Sequence, residues 1–241
     1  MPAAPSPPPD PGDTNAATDS PAPSGSRPSS DSQASSGSDT AAGAPVAAVA
    51  VGPRVFIRHY RLEDAAEYTA LARESTGLHR PWLFPPRTEA DYVTYARRLL
   101  EDPTRAGHLV CDRADGQIAA FININNIVEG AFLSGALGYG AFAHAAGRGL
   151  MTEGLGLVVR HAFGPLGLHR LEANIQPRNA SSVALVRRLG FRLEGFSPDF
   201  LFIDGAWRDH ERWAITAEME LGTPLPDSGA GQSDPGADEG D

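Results

Sequence analysis

The order of elements along the chain predicts an α/β (α+β) fold, a mixed central sheet with helices on both faces. Three observations carry this. Short alternating segments separated by turn residues fill the first half of the core. A strand–helix–strand–helix run follows, and a hairpin closes the chain.

The elements are read as follows. Val55–Arg58 is a strand, and Leu62 to Arg73 is a helix whose Glu63 and Asp64 suit the positive N-terminal end of its dipole. Glu89 to Leu100 is a second helix, ended by Pro103. His108–Asp112 and Gln117–Ile127 are strands joined at the Asp115-Gly116 turn, and Leu133–Phe142 is another strand. Gly149 to Phe163 is a helix bounded by glycines, Arg170–Ile175 a strand, and Asn179–Leu189 a helix. Phe200–Ile203 and Trp207–Ala217 form the closing hairpin across Asp204-Gly205. Phe200, Phe202, Trp207 and Trp213 alternate along it, as core and cleft wall would.

Composition divides the 241 residues into three parts. Residues 1–50 are Pro-, Ser- and Ala-rich without an aromatic residue, so a disordered tail is expected there. Residues 222–241 read as a second, acidic tail, which leaves 51–221 as one domain. Of the net charge of −10, the tails carry −4 and −5 and the domain −1. That balance lacks the basic footprint of a nucleic-acid binder. All 20 basic residues are arginine, as a codon-composition bias would give. The single Cys111 and the lack of any apolar run of membrane-spanning length point to a cytoplasmic protein, a monomer or homodimer without a membrane partner.

The most informative stretch runs from Leu137-Gly138-Tyr139-Gly140-Ala141-Phe142 to Gly147-Arg148-Gly149-Leu150-Met151-Thr152-Glu153. A strand leads to a glycine loop that opens a helix. The unpaired amides of a helix's first turn, with its dipole, attract an anion. Glycines let the backbone approach a phosphate, and Arg148 and Thr152 add donors. A plain tight turn is the alternative. Gly138 to Ala143 also matches the dinucleotide pattern Gly-x-Gly-x-x-Ala. Here, however, the glycines lie inside the strand, and no acidic residue ends a second strand about 20 residues on.

Four further motifs follow in order: His169-Arg170-Leu171-Glu172-Ala173, Pro177-Arg178-Asn179-Ala180-Ser181-Ser182, Gly190-Phe191-Arg192-Leu193-Glu194-Gly195 and Ile203-Asp204-Gly205-Ala206-Trp207-Arg208-Asp209-His210. With the glycine loop, this stretch from Arg54 to Met219 resembles the RimJ/RimL type of GNAT N-acetyltransferase. The resemblance implies the GNAT fold, in which two parallel strands splay apart around acetyl-CoA as co-substrate. It implies that Ala141 and Phe142 offer backbone groups to the pantetheine arm and that Gly147, Arg148, Gly149, Leu150, Met151 and Thr152 hold the pyrophosphate. Asn179 would bond the pantetheine arm. Ala143, His144 and Ala146 depart from the residues usual in the family.

Acetyl transfer needs a free amine and a donor for the departing thiolate. A peptide N-terminus, with pKa about 7.7–8.0, is roughly a tenth free near neutral pH, against about one lysine in a thousand. Glu172 is the leading base, on the strand beside the expected cleft; pairing with Arg170 is the alternative, and Asp199 and Asp209 are reserves. Ser182, on the first turn after Asn179, is the leading general acid or water anchor, with a capping role as the alternative. Related branches carry a tyrosine further along this helix, where Val186 stands here. His144 and His169 lack a surrounding ligand cluster, so no metal site is expected.

The function implied is N-acetylation of a primary amine, first of all the N-terminal α-amine of a protein such as a ribosomal protein. A small amine (an antibiotic, polyamine or amino acid) is the second possibility, weakly favoured by the acidic tails if cationic. A non-catalytic acetyl-CoA-binding module is the third.

Overall fold

A computed structural model describes residues 47–219. Residues 1–46 and 220–241, which hold most of the two expected tails, lie outside the described residues.

The core is one eight-stranded sheet: β1 (Ala50–Val51), β2 (Val55–Arg58), β3 (Ala106–Asp112), β4 (Ile118–Val128), β5 (Ser134–Ala141), β6 (Arg170–Ile175), β7 (Arg192–Ile203) and β8 (Ala206–Thr216). Their spatial order is β1-β2-β3-β4-β5-β6-β8-β7. Only β5 and β6 are parallel, joined by a crossover helix; every other neighbour is antiparallel. Among the described residues there are five α-helices: α1 (Ala65–Glu74), α2 (Thr76–His79), α3 (Glu89–Glu101), α4 (Leu150–Phe163) and α5 (Ala180–Arg188), with short 3-10 turns at Leu62–Asp64 and Ala143–Ala145. No helix among the described residues is long and apolar enough to cross a membrane.

The helices cover both faces, as the element order predicts. α4 and α5 bury Leu155, Val158, Val159, Leu185 and Val186 against Ile122, Ile124 and Leu171 on one face. On the other, α1 and α3 pack Tyr68, Leu71, Tyr92 and Leu99 against Leu109, Phe121 and Phe142. Strand alternation makes this two-sided core possible, because successive side chains of β3 and β4 face opposite helices. α3 starts where the Thr88 side chain accepts from the Asp91 amide at 3.2 Å.

Several boundaries differ by one to three residues from the sequence reading, and two differences have a physical reason. Ala50 pairs with Ile57, and the Val49 amide bonds to Ile57 O at 2.7 Å. The domain therefore takes in Val49 and Ala50, which had been assigned to the disordered segment; a two-residue strand leaves no periodicity to detect. β7 begins at Arg192, eight residues before the expected Phe200. As the sheet edge it is exposed on both faces through Phe196, so its sequence does not alternate. Trp207 is half exposed while Trp213 is core, so the two tryptophans of the hairpin do different work.

Two glycines inside α4 have different causes. A Cβ on Gly154 would lie 2.6 Å from Val110 Cγ2, so glycine sets how closely α4 approaches β3. On Gly156 it would meet nothing nearer than 3.6 Å.

Candidate functional site: a gap between parallel strands

β5 and β6 pair from Ser134–Arg170 to Leu137–Ala173 and then part. Beyond that point Gly138 to Ala141 stay on β4, and Asn174 and Ile175 stay on β8. The gap opens a cleft of about 780 Å³ that passes through the sheet. Tyr95, Asn123, Asn174 and His210 line it on the α3 side, and Tyr139, Asn179 and Ser182 on the α5 side.

Backbone groups are available along the open edge of β5. The Phe142 amide bonds to Ala119 O at 2.9 Å, so Phe142 turns its backbone toward β4. Alternation then turns Tyr139 and Ala141 toward the gap. The Ala141 carbonyl is occupied by His79 Nε2 at 2.8 Å, a buried histidine that burial keeps below its ordinary pKa. Of the two residues expected to face a pantetheine arm, Ala141 keeps its amide for that use, while Phe142 is a core residue with its amide already taken. The backbone of Tyr139, two residues before Ala141, faces the gap in the same way.

The glycine loop is built as the sequence suggests. Gly147 and Gly149 have φ of 75° and 78°, a region that favours glycine. Helix α4 follows, so the amides of Leu150, Met151 and Thr152 lack intrahelical acceptors. Gly138 and Gly140 lie within β5, away from the strand–helix turn of a dinucleotide site. A Cβ on Gly140 would lie 2.7 Å from Phe121 Cζ, which explains that glycine by packing.

Arginines gather around the loop. Arg148 reaches Asp112 Oδ2 at 2.9 Å, and Arg54 Nη1 donates to the Arg148 carbonyl at 3.0 Å. With Arg113 they border a concavity of about 470 Å³ at the helix N-terminus. Glu153 holds this region from below: its Oε1 accepts from the amides of Arg54 and Val55 at 2.8 and 3.1 Å. The motif contained Glu153, but its partners lie about a hundred residues earlier, where spacing gives no cue.

Asn179 caps α5, accepting from the Ser182 amide at 3.2 Å, and also lines the cleft. Ser182 Oγ lies 2.6 Å from the Tyr139 hydroxyl, whose pKa burial pushes up to about 12. Val186 is core. A phenol therefore stands beside Ser182, carried by β5 and not by α5.

The carboxylates fall elsewhere. Glu172 pairs with Ala136, inside the closed part of β5–β6, and accepts from Arg170 Nε at 3.0 Å. Arg170 also holds Glu194, whose carboxyl is kept down at about 2 by Arg170 and Arg192. The expected alternative, an ion pair with Arg170, is the contact Glu172 makes. Asp209 Oδ1 accepts from the Asp199 amide at 2.9 Å and pins a bulge in β7. Among the described residues the cleft-lining carboxylate is Asp91, at the start of α3, against Arg87, Arg98 and Arg105. Arg105 is itself held by Asp102 at 2.9 Å.

One polar atom waits for a partner. Asn174 Oδ1 is buried in the cleft wall without a hydrogen-bond donor among the described residues. A bound N–H donor would satisfy it, which is what an amine, or the amides of a pantetheine arm, supplies.

Comparison with known proteins agrees with this geometry. Residues 54–192 match the family model described as an acetyltransferase (GNAT) domain. The chain is 40% identical over 105 residues to the ribosomal protein uS5-alanine N-acetyltransferase of Escherichia coli, covering 44% of this chain and 54% of that one. It therefore spans about half the length of that relative. It is 28% identical over 171 residues to the N-acetyltransferase homologue YjcK of Bacillus subtilis, covering 68% of this chain and 94% of that one. The structure of Mycobacterium smegmatis RimJ in complex with CoA-disulfide superposes with a TM-score of 0.64 at 29% identity, covering 68% of this chain and 82% of that one. The model match takes in the splayed strands, the glycine loop and α5, more than half of the 241 residues, and the chain belongs to the GNAT acetyltransferase family.

Proposed function

We propose that this chain is an acetyl-CoA-dependent N-acetyltransferase whose acceptor is the N-terminal α-amine of a protein. The observation that carries the reading is the cleft through the sheet, with the Tyr139 and Ser182 hydroxyls on the α5 side and the Asn174 carboxamide on the α3 side. Acetyl-CoA enters from the α4–α5 face. Its pyrophosphate takes the amides of Gly147 and of Gly149 to Thr152, with Arg148 beside them. Its arm follows the open edge of β5, past Tyr139, Ala141 and Asn179. The thioester sulfur then ends near Ser182, whose hydroxyl, backed by Tyr139, donates to the departing thiolate.

The acceptor enters from the α3 face. Asn125 and Asn174 suit the amides of a peptide backbone, and Asn174 Oδ1 suits the α-amine itself. Arg105 is paired with Asp102, which leaves Arg87 and Arg98 against Asp91; this balance disfavours a polyamine and favours a segment that is neutral or acidic after its first residue. The Escherichia coli relative is named for an alanine terminus, which agrees with a small first residue.

The test is an acceptor panel. Peptides beginning with alanine, followed by acidic, neutral or basic residues, are compared with spermidine and free amino acids for acetyl-CoA consumption. The acidic and neutral peptides should be preferred, and Arg98→Glu should shift the preference toward the basic one. Preference for spermidine would overturn the acceptor reading. Acetyl-CoA binding with no transfer to any amine would leave a binding module.

A further inference from the structure

We propose that His210 is the general base of the transfer, taking the proton that the acceptor amine sheds as it attacks the thioester. The proposal rests on the acetyltransferase reading above.

The argument begins with position. β8 pairs with β6 as far as Ile175–Glu211, so His210 is the first residue past the end of that ladder, at the open gap. Glu172 pairs with Ala214 and Asn174 with Arg212, so alternation puts His210 on their face of the sheet, the acceptor side. It is 2% exposed, yet it lines the cleft. Access to it is therefore through the cleft.

Two contacts hold the ring, and the β7–β8 register sets up the one with Phe200. Ser197 faces it across the β7–β8 ladder. The register then shifts between Ser197 and Leu201, and Asp209 pins the bulge through the Asp199 amide. The shift brings Phe200 onto the imidazole, with centroids 5.9 Å apart. Lastly, Nδ1 lies 2.9 Å from the Arg208 carbonyl. A carbonyl oxygen only accepts, so Nδ1 carries the hydrogen, and in the neutral ring Nε2 bears the lone pair. The backbone thus fixes the tautomer a base requires.

The charged groups around it are few. Asp209 adjoins it on β8, and Arg212 shares its face of that strand. β7 presents Ser197 and Phe200, and β6 ends in Asn174 and Gln176, all uncharged. Across the cleft stand Asp91 with Arg87, Arg98 and Arg105. Burial lowers the imidazole pKa, while the Arg208 carbonyl and Asp209 act the other way. The ring is therefore neutral, and able to accept, at neutral pH.

The step balances as follows. The neutral amine nitrogen forms the bond to the thioester carbonyl carbon. The carbon–sulfur bond breaks, with its electron pair going to sulfur. The nitrogen loses one proton to His210 Nε2. The thiolate gains one from the Ser182 hydroxyl, which solvent replaces, and His210 returns its proton to solvent after the products leave. Asn174 Oδ1 accepts the other N–H of the amine and orients the lone pair.

The experiment measures single-turnover transfer to an alanyl peptide between about pH 5.5 and about pH 9 for the wild type, His210→Gln, His210→Asn and Glu172→Gln. The two His210 variants should be slowed about 10²-fold or more near neutral pH. They should keep the rise in Tm that acetyl-CoA gives. The wild type should lose rate through an acid limb that Glu172→Gln retains. His210 variants within about twofold of the wild type, with the same profile, overturn the proposal. If neither variant folds, the wild type decides, using two acceptors whose amines differ in pKa. A limb that stays fixed and survives in Glu172→Gln supports His210, and one that moves with the acceptor overturns it. A wild type that acetylates spermidine but no peptide refutes the acceptor reading alone, and the His210 comparison is then run on spermidine.

Discussion

The Tyr139 hydroxyl and Ser182 Oγ meet at 2.6 Å on the edge of the cleft, one carried by β5 and the other by the first turn of α5. The contact ties together the two walls between which a thiolate would emerge. Burial pushes the pKa of Tyr139 up to about 12, so the phenol is protonated at neutral pH, and either hydroxyl can donate in this contact. Tyr139→Phe and Ser182→Ala should each slow transfer about tenfold, which is about 1.4 kcal/mol of barrier. The double variant should lose less than the product of the two, because the hydroxyls act as one unit. Steady-state rates on the four proteins of the cycle check this.

The glycine loop should fail selectively. Gly149 has φ of 78°, and a Cβ there would lie 3.0 Å from Arg54 Nη2. Gly149→Pro removes an amide and forbids that φ. The variant should fold but lose the increase in Tm that acetyl-CoA produces in the wild type. Thermal unfolding with and without acetyl-CoA is the measurement, and an unchanged increase would remove the loop from the binding site.

The two glycines of α4 should respond with opposite signs. Gly154→Ala drives a methyl into Val110 and should cost about 1–3 kcal/mol. Gly156→Ala meets only ordinary contacts and should gain up to about 1 kcal/mol from helix propensity. Urea unfolding of both variants separates a packing glycine from a dispensable one.

Acid should destabilise the fold through His108. Its ring is fully buried on β3, and neither nitrogen has a partner among the described residues. Burial, with His59 and His161 nearby, lowers its pKa to about 3. The unfolded chain takes up this proton near pH 6.5, well above the folded value, so stability falls as pH drops from about 6.5 toward about 3. The loss is on the order of a few kcal/mol. His108→Leu should flatten that part of the curve, measured as urea midpoints against pH.

Legibility in the sequence followed the physics of each feature. β2 and β6 were read to the residue, because buried strands alternate and end at turn residues. The loop was legible because positive φ needs glycine within a short span. The first half of β7 was not, since an edge strand with both faces exposed has no pattern to follow. Glu172 looked like a base because it was an acid on the right strand. Only the register showed it beside Ala136, short of the gap and held by Arg170. His210 and Tyr139 were hidden for the same reason, as their distance from the gap depends on where the ladders end.

The contact of Glu153 with the amides of Arg54 and Val55 reaches further than its two hydrogen bonds suggest. The glycine loop is continuous in sequence, yet its geometry is completed by a segment 98 and 99 residues earlier in the chain. Such a contact carries a large loop-closure entropy and pairs segments made far apart in time on the ribosome. On the binding mode proposed above, affinity for acetyl-CoA would report on the N-terminal edge of the sheet. A cut or fusion that frays β1 and β2 would appear first as weakened cofactor binding, while the far side of the molecule still looks folded.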